Sequence, residues 1–149
     1  MKYSRSAGLA IIYKGMLLMG HPSNGSWVGR YSIPKGHVED SESILEAAIR
    51  ETWEEVGISV PLELIDKTRY KVYRIGKHSI KTVFYYIVKI DDLGQIGLDT
   101  IKVPKEQLQI EEIDWAGFIT YKEAKLRSSR YQLALIDNLL NLGLLNPTL

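Results

Sequence analysis

Apolar residues recur along this chain with two different periods. AGLAIIY (residues 7–13) and MLLMG (16–20) are short apolar runs separated by Lys14-Gly15, which predicts two strands joined by a tight turn, with Gly15 free to take a positive φ. The stretch from His21 to Gly29 is polar and predicts a loop. RYKVYRI (69–75) and IKTVFYYIVKI (80–90) flank Gly76-Lys77 and are dense in Tyr, Val and Ile, side chains that fit a half-buried pleated surface. They predict a longer hairpin. Residues 91–109 predict irregular structure, EEIDWAGFI (111–119) a further strand and YKEAKL (121–126) a short helix. From about Ser128, Leu133, Ile136, Leu139 and Leu140 recur at helical spacing, predicting a closing helix that ends at Gly143, before Pro147.

The one long helical signal in the middle of the chain runs from Ser43 to Val56. Ser41 or Ser43 supplies a hydroxyl cap for the free amides of its first turn, and Gly57 ends it. At ~100° per residue, Leu45, Ile49, Thr52 and Val56 share one arc, the face expected to lie on a sheet. Glu51, Glu54 and Glu55 share another, with Arg50 one turn from Glu54. Strands and helices mix without regular alternation, which favours an α+β or three-layer arrangement over a doubly wound sheet.

Composition narrows the functional classes. The 149 residues are 45% hydrophobic and 25% charged, and no repeat, low-complexity tract or linker divides them, so a single domain over residues 1–149 is expected. With 19 Lys+Arg against 18 Asp+Glu, the net charge of +1 gives no global field to recruit nucleic acid or membrane, so an anionic ligand has to be met locally. The absence of Cys excludes disulfides, thiolate zinc sites and thiol nucleophiles. AGLAIIY is too short for a membrane span and poorly shaped for a signal peptide, so a cytoplasmic protein is expected.

The clustered glutamates are the strongest chemical signal. Taken alone, three Glu on a helix read as a solvated face. Their spacing says otherwise, because the segment fits G-x5-E-x7-R-E-x-x-E-E-x-G through Gly36, Glu42, Arg50, Glu51, Glu54, Glu55 and Gly57. Seven fixed positions match by chance on the order of once in 10⁸ starting points at ordinary residue frequencies. Three carboxylates on one turn, with the carbonyls of a Gly-containing loop, are the hard oxygen ligands that Mg²⁺ or Mn²⁺ prefers, and such an ion relieves their mutual repulsion.

The pattern resembles the Nudix box, the signature of the Nudix hydrolase superfamily, at every charged and Gly position; Thr52 stands where the family usually has an aliphatic residue. GRYSIPKGHVE resembles the family's lead-in to the box, with Tyr31 where many members have Trp, and EEIDWAGFI resembles the strand after the long hairpin. The resemblance implies an α+β, Nudix-like αβα sandwich with a central mixed β-sheet and a catalytic loop-helix-loop. It implies metal binding by Glu51, Glu54, Glu55 and the Lys35 carbonyl, and attack by water on phosphorus with one of these Glu, or a Glu outside the box, as base.

Other positions carry weaker expectations. Glu42 and Arg50 read as a supporting ion pair fixing loop against helix. Glu112 and Asp114 fall on one face of an alternating strand, and Glu112 is a candidate further metal ligand. Lys35 and His37 flank Gly36 where phosphates approach, and Lys81 is a further point charge for a phosphate chain. IPKGHVE resembles the same segment of dinucleoside polyphosphate hydrolases, and IKTVFYYIV resembles their Lys- and aromatic-containing strand, which makes Tyr85 a substrate-side candidate; taken without the resemblance, Tyr73, Tyr85 and Tyr86 read as sheet packing rather than base-stacking platforms. His21 and His78 read as surface residues and Trp115 as core.

The function that follows is a metal-dependent pyrophosphohydrolase acting on a nucleoside diphosphate linked to another moiety, best a dinucleoside polyphosphate such as diadenosine tetraphosphate. A nucleoside triphosphate pyrophosphatase is the alternative. A non-catalytic nucleotide-sensing module is a reading of another class, and a complete carboxylate set argues against it. An isomerase on the same scaffold would typically need a Cys. The expected partners are the nucleotide or dinucleotide polyphosphate substrate, with no membrane and no strong general nucleic-acid surface, and the chain is expected to be a monomer or homodimer.

Overall fold

Lys14 and Gly15 both hold positive φ, 47° and 76°, so the first two strands are joined by a tight two-residue turn of the kind that matches strand twist. In the computed structural model, which describes residues 1–149, these strands are β1 (Lys2–Tyr13) and β2 (Met16–Pro22). β1 begins five residues before the apolar run: its polar start, KYSRS, is paired throughout with β5 and needs no apolar code.

β3 (Lys35–His37) follows a loop, then α1 (Ile44–Val56), the hairpin β4 (Tyr70–Ile75) and β5 (Ser79–Ile90), β6 (Ile113–Ile119), α2 (Tyr121–Arg127) and α3 (Leu133–Asn141). The sheet order is β4-β5-β1-β2-β6, with β3 also paired to β1. β1 and β5 run parallel over twelve pairs and the other pairings are antiparallel, so the sheet is mixed, as expected.

Two cores lie on its two faces. Ala7, Leu9, Ile11, Tyr86 and Val88 meet Ala47, Ala48 and Val56 of α1 on one. Ala10, Ile12, Val83, Tyr85 and Ile87 meet Leu135, Ile136 and Leu139 of α3 on the other. α1 begins at a complete capping box, Ser43 with Glu46, and ends at Gly57 in left-handed conformation (φ 66°). Leu45 and Ile49 are only half-buried, and the face most removed from water is Ala47, Ala48, Thr52, Glu55 and Val56. The closing helix starts later than its periodicity predicts. Residues Arg130–Gln132 form a 3₁₀ turn, and α-helix begins at Leu133.

Residues 91–109 are irregular as expected, with short 3₁₀ turns at Leu93–Ile96 and Lys105–Gln107, yet they bury Ile96, Leu98 and Val103 beside α1. No helix is long and apolar enough to cross a membrane.

Candidate active site

Gly36 is the point on which the site is built. A Cβ at this position would lie 2.1 Å from the Glu51 carboxyl carbon, so the lack of a side chain here leaves the space that the Glu51 carboxylate occupies. On the same strand the Lys35 amide donates to Glu55 Oε1 at 3.1 Å, fixing the second carboxylate. Glu55 is only 9% exposed.

Arg50 organises the rest. Its guanidinium forks onto Glu42, with Nε to Oε2 at 3.0 Å and Nη2 to Oε1 at 2.7 Å, the supporting pair read from the sequence. It also donates through Nη1 to Glu51 and Glu54, both at 2.9 Å, and through Nη2 to the His37 carbonyl at 2.9 Å. One cation therefore ties the loop, β3 and two carboxylates of α1 together.

Glu112 joins them by a route invisible in the local pattern. Gln107 donates its side-chain amide to the carbonyls of Val56 and Gly57, the Gln109 amide donates to the Glu55 carbonyl, and the Glu112 amide turns back to the Gln109 carbonyl. The loop thus caps the C-terminus of α1 and brings Glu112 into a cleft of about 240 Å³ shared with Lys35, Gly36, His37, Glu51, Glu54 and Glu55.

Burial pushes the Glu55 carboxyl up to about 7, against the Lys35 amide and charge that lower it, with Glu51 and Glu112 adding to the rise. Burial also raises Glu51 despite its bond to Arg50. Glu42 is held below the usual carboxylate range by the same guanidinium.

Several expectations are corrected. Glu112 and Asp114 do not share a face: Glu112 precedes β6, and a register shift at His21/Pro22 turns Asp114 the other way, onto His21 Nδ1 at 2.5 Å. His21 is not a surface residue; it is 2% exposed, beneath Trp27 at 3.8 Å between ring centroids. Trp115 is half-buried and lines an aromatic cleft with Trp27 and Tyr31. Tyr85 is not available to a substrate, being 1% exposed with its hydroxyl accepting from Asn138 Nδ2 at 2.8 Å. Tyr86 is buried as read, whereas Tyr73 is exposed; His78 is exposed as expected.

Lys35 and His37 reach the cleft with their backbones, but strand alternation turns their side chains to the face opposite Gly36. There Lys35 Nζ stands 5.9 Å from the Tyr131 ring and Arg74 5.5 Å from it. Lys81 lies in the same group, its pKa lowered by burial and then by the charges of Lys35 and Arg74. None of these cations has a carboxylate partner. Arg74 and Tyr131 were missed in the sequence; the parity of Arg74 with buried Val72 is the signal that places it on that face.

In this arrangement no three His, Asp or Glu side chains converge at metal-ligand spacing, and Glu51 and Glu54 are turned to Arg50. The donor chemistry nevertheless fits a hard divalent cation: oxygen only, with one carboxylate withdrawn from water and short of positive charge.

A model of the NUDIX domain family matches residues 2–134. Over 76 residues the chain is 38% identical to the asymmetrical bis(5'-nucleosyl)-tetraphosphatase of Sus scrofa, a match covering 50% of each protein. The corresponding protein of Mus musculus is 36% identical over 66 residues, 44% of this chain and 45% of that one. The matches therefore span about half the length of these curated relatives. Among solved structures, a Caenorhabditis elegans Ap4A hydrolase binary complex superposes with a TM-score of 0.68 at 21% identity, covering 94% of this chain and 97% of that one. The MutT protein of Methanosarcina mazei gives 0.70 at 17% identity, covering 95% and 96%. At these identities the superpositions establish a shared fold.

Proposed function

Because the chain belongs to the Nudix family, matched over nearly its whole length, we propose that it is a divalent-metal-dependent pyrophosphohydrolase that cleaves a phosphoanhydride bond of a nucleoside polyphosphate. The observation that carries this reading is the cleft in which Glu51, Glu54, Glu55 and Glu112 meet the glycine-bearing strand β3. Glu51, Glu54, Glu55 and the Lys35 carbonyl, with Glu112 at the rim, would hold the cation, Mg²⁺ or Mn²⁺. When bound, such an ion neutralises phosphate charge and acidifies a water molecule.

The chain's own residues do the rest. Arg50 holds Glu51 and Glu54 against β3, and the Lys35 amide fixes Glu55. The proton of the attacking water would pass to one of these carboxylates or to Glu112 at the rim of the cleft.

For substrate we favour a dinucleoside polyphosphate cleaved asymmetrically. Relatives matched over about half the chain carry that activity in their names, and a long phosphate chain rounding β3, which is paired with β1 alone, would reach the unpaired cations Lys35, Lys81 and Arg74 on the other face of the sheet. A nucleoside triphosphate needs fewer such cations. The test is incubation with Mg²⁺ or Mn²⁺ and a panel of diadenosine tetraphosphate, nucleoside triphosphates and sugar nucleotides, with products identified by mass. Conversion of the tetraphosphate to ATP and AMP is expected. Turnover of a triphosphate with the tetraphosphate untouched would overturn the substrate assignment, and inertness toward the whole panel would overturn the hydrolase reading.

A further inference from the structure

The near-zero net charge hides a strong asymmetry. The first acidic residue is Glu39, and from Lys67 to Ile90 there are seven Lys or Arg and no Asp or Glu. Both stretches end up together, because the parallel pairing of β1 with β5 and the β4–β5 hairpin assemble them into one end of the sheet.

On the α1 side of that end, register fixes what stands beside what. Tyr3, Ile80 and Ile75 form one row across β1, β5 and β4; Arg5, Thr82 and Tyr73 form the next; Ala7, Phe84 and Lys71 form the third. α1 lies over β1 and β3, covering Ala7 of the third row and leaving the first two rows open. Tyr3 is 72% exposed, Ile75 76% and Tyr73 47%. The cations are arranged on the rings: Arg69 stands 5.0 Å from the Phe84 centroid and Lys71 5.8 Å from that of Tyr73. Neither they nor Lys2, Arg5 or Lys77 have an acidic partner. The acids that follow β3, Glu39 and Glu42, are turned to Arg50.

We infer that this face binds a single-stranded polynucleotide. Exposed Tyr3 and Tyr73, on the two strands that flank β5, with half-buried Phe84 between them, offer stacking surfaces to bases, and unpaired Lys and Arg between and around them follow the phosphates. A second copy of the chain, equally basic here, would meet this face with repulsion, and an apolar partner leaves the cations uncompensated; a polyanion carrying flat rings satisfies both components. The third row continues through Ala7 to Gly36, beneath Glu51, so the platform borders the carboxylate cleft on the same face of the sheet.

The test does not depend on hydrolysis. Fluorescence anisotropy of labelled 12-residue RNA and DNA strands, in EDTA and at low salt, reads binding with no divalent cation present, so its failure is separate from failure of the hydrolase reading. Saturable binding is expected, with log K falling linearly against log salt, and Tyr3→Ala and Tyr73→Ala each weakening it about tenfold. Arg5→Ala and Lys71→Ala should each lower the salt slope by about 0.7. Ultraviolet cross-linking should place the strand on Tyr3, Tyr73 or Phe84. Absence of binding by the folded protein, equal binding by the tyrosine variants with unchanged melting, or cross-links confined to other faces would overturn the inference. Preference of the RNA or the DNA strand identifies the natural polymer.

Discussion

Gly36 and Glu51 occupy positions that exclude any side chain between them: a Cβ on Gly36 would fall 2.1 Å from Glu51 Cδ and Oε2. Gly36→Ala must therefore drive the carboxyl off its place beside Arg50 or push β3 from α1. A loss of at least ~10² in kcat/KM is expected, comparable to displacing a major electrostatic element. The cost to stability should be small, because the displaced atoms are the far end of a flexible side chain. Steady-state kinetics with thermal melts check both, and near-normal turnover would show that Glu51 is not held for catalysis.

Glu54→Gln and Glu55→Gln each keep shape while removing a negative oxygen donor. Both are expected to lower turnover by at least ~10². Their metal-free stabilities should diverge. Glu54 is exposed, so its amide costs little, whereas Glu55→Gln removes a charge that burial disfavours and should stabilise the chain above pH 7. Equal melting shifts for the two would contradict the buried assignment of Glu55.

The pH dependence of stability follows from the same group. Glu55 rises from 4.5 unfolded to about 7 folded, so the native state binds its proton more tightly. Without metal, its contribution to stability is fully present below about pH 4.5 and is lost as pH rises through about 7, a change of about 3 kcal/mol at one pKa unit per 1.4 kcal/mol. Below that range Glu42, held low by Arg50, works in the opposite sense, since its contribution disappears as acid protonates it. Mg²⁺ should recover the loss near neutrality by binding the native state. Chemical denaturation across pH, with and without Mg²⁺, is the measurement; a flat metal-free profile from pH 5 to 7.5 would refute it.

The group around Tyr131 should discriminate substrates by phosphate number. Lys35→Ala, Lys81→Ala and Arg74→Ala are expected to depress kcat/KM for diadenosine tetraphosphate more than for ATP or dGTP, each by about 1–2 kcal/mol in barrier. Metal affinity should barely change on Lys81→Ala or Arg74→Ala, because their side chains lie across the sheet from the carboxylates. Equal losses on all substrates would assign them a structural role.

Local periodicity and spacing made most of this molecule legible. The helix cap at Ser43, the end at Gly57, the Arg50–Glu42 pair and the two hairpins are determined by neighbours within a turn or a strand, and the linear pattern contains them. What it lacked depends on pairings between distant segments. His21 reads as a polar loop residue until Asp114 is set against it by the β2–β6 register. Tyr85 reads as a substrate contact until Asn138 of α3 covers it. The direction of Lys35 follows from which face β3 turns to α1, and the gathering of cations at one end of the sheet follows from the β1–β5 pairing; neither is written in composition.

That pairing also governs assembly in time. β1 and β5 join residues 77 positions apart, Lys2 with Ser79 through Tyr13 with Ile90, and α1 lies in the intervening chain. Closing so long a loop is entropically demanding before the strand contacts compensate it, and parallel, non-local pairing folds slowly. During synthesis the helix carrying Glu51, Glu54 and Glu55 emerges well before the strand that locks its platform, leaving the apolar edge of β1 uncovered until residue 90 is free of the ribosome. The carboxylate cleft is thus a late product of folding, and substitutions that weaken the β1–β5 seam should reduce the yield of soluble protein before they alter the chemistry of the molecules that do fold.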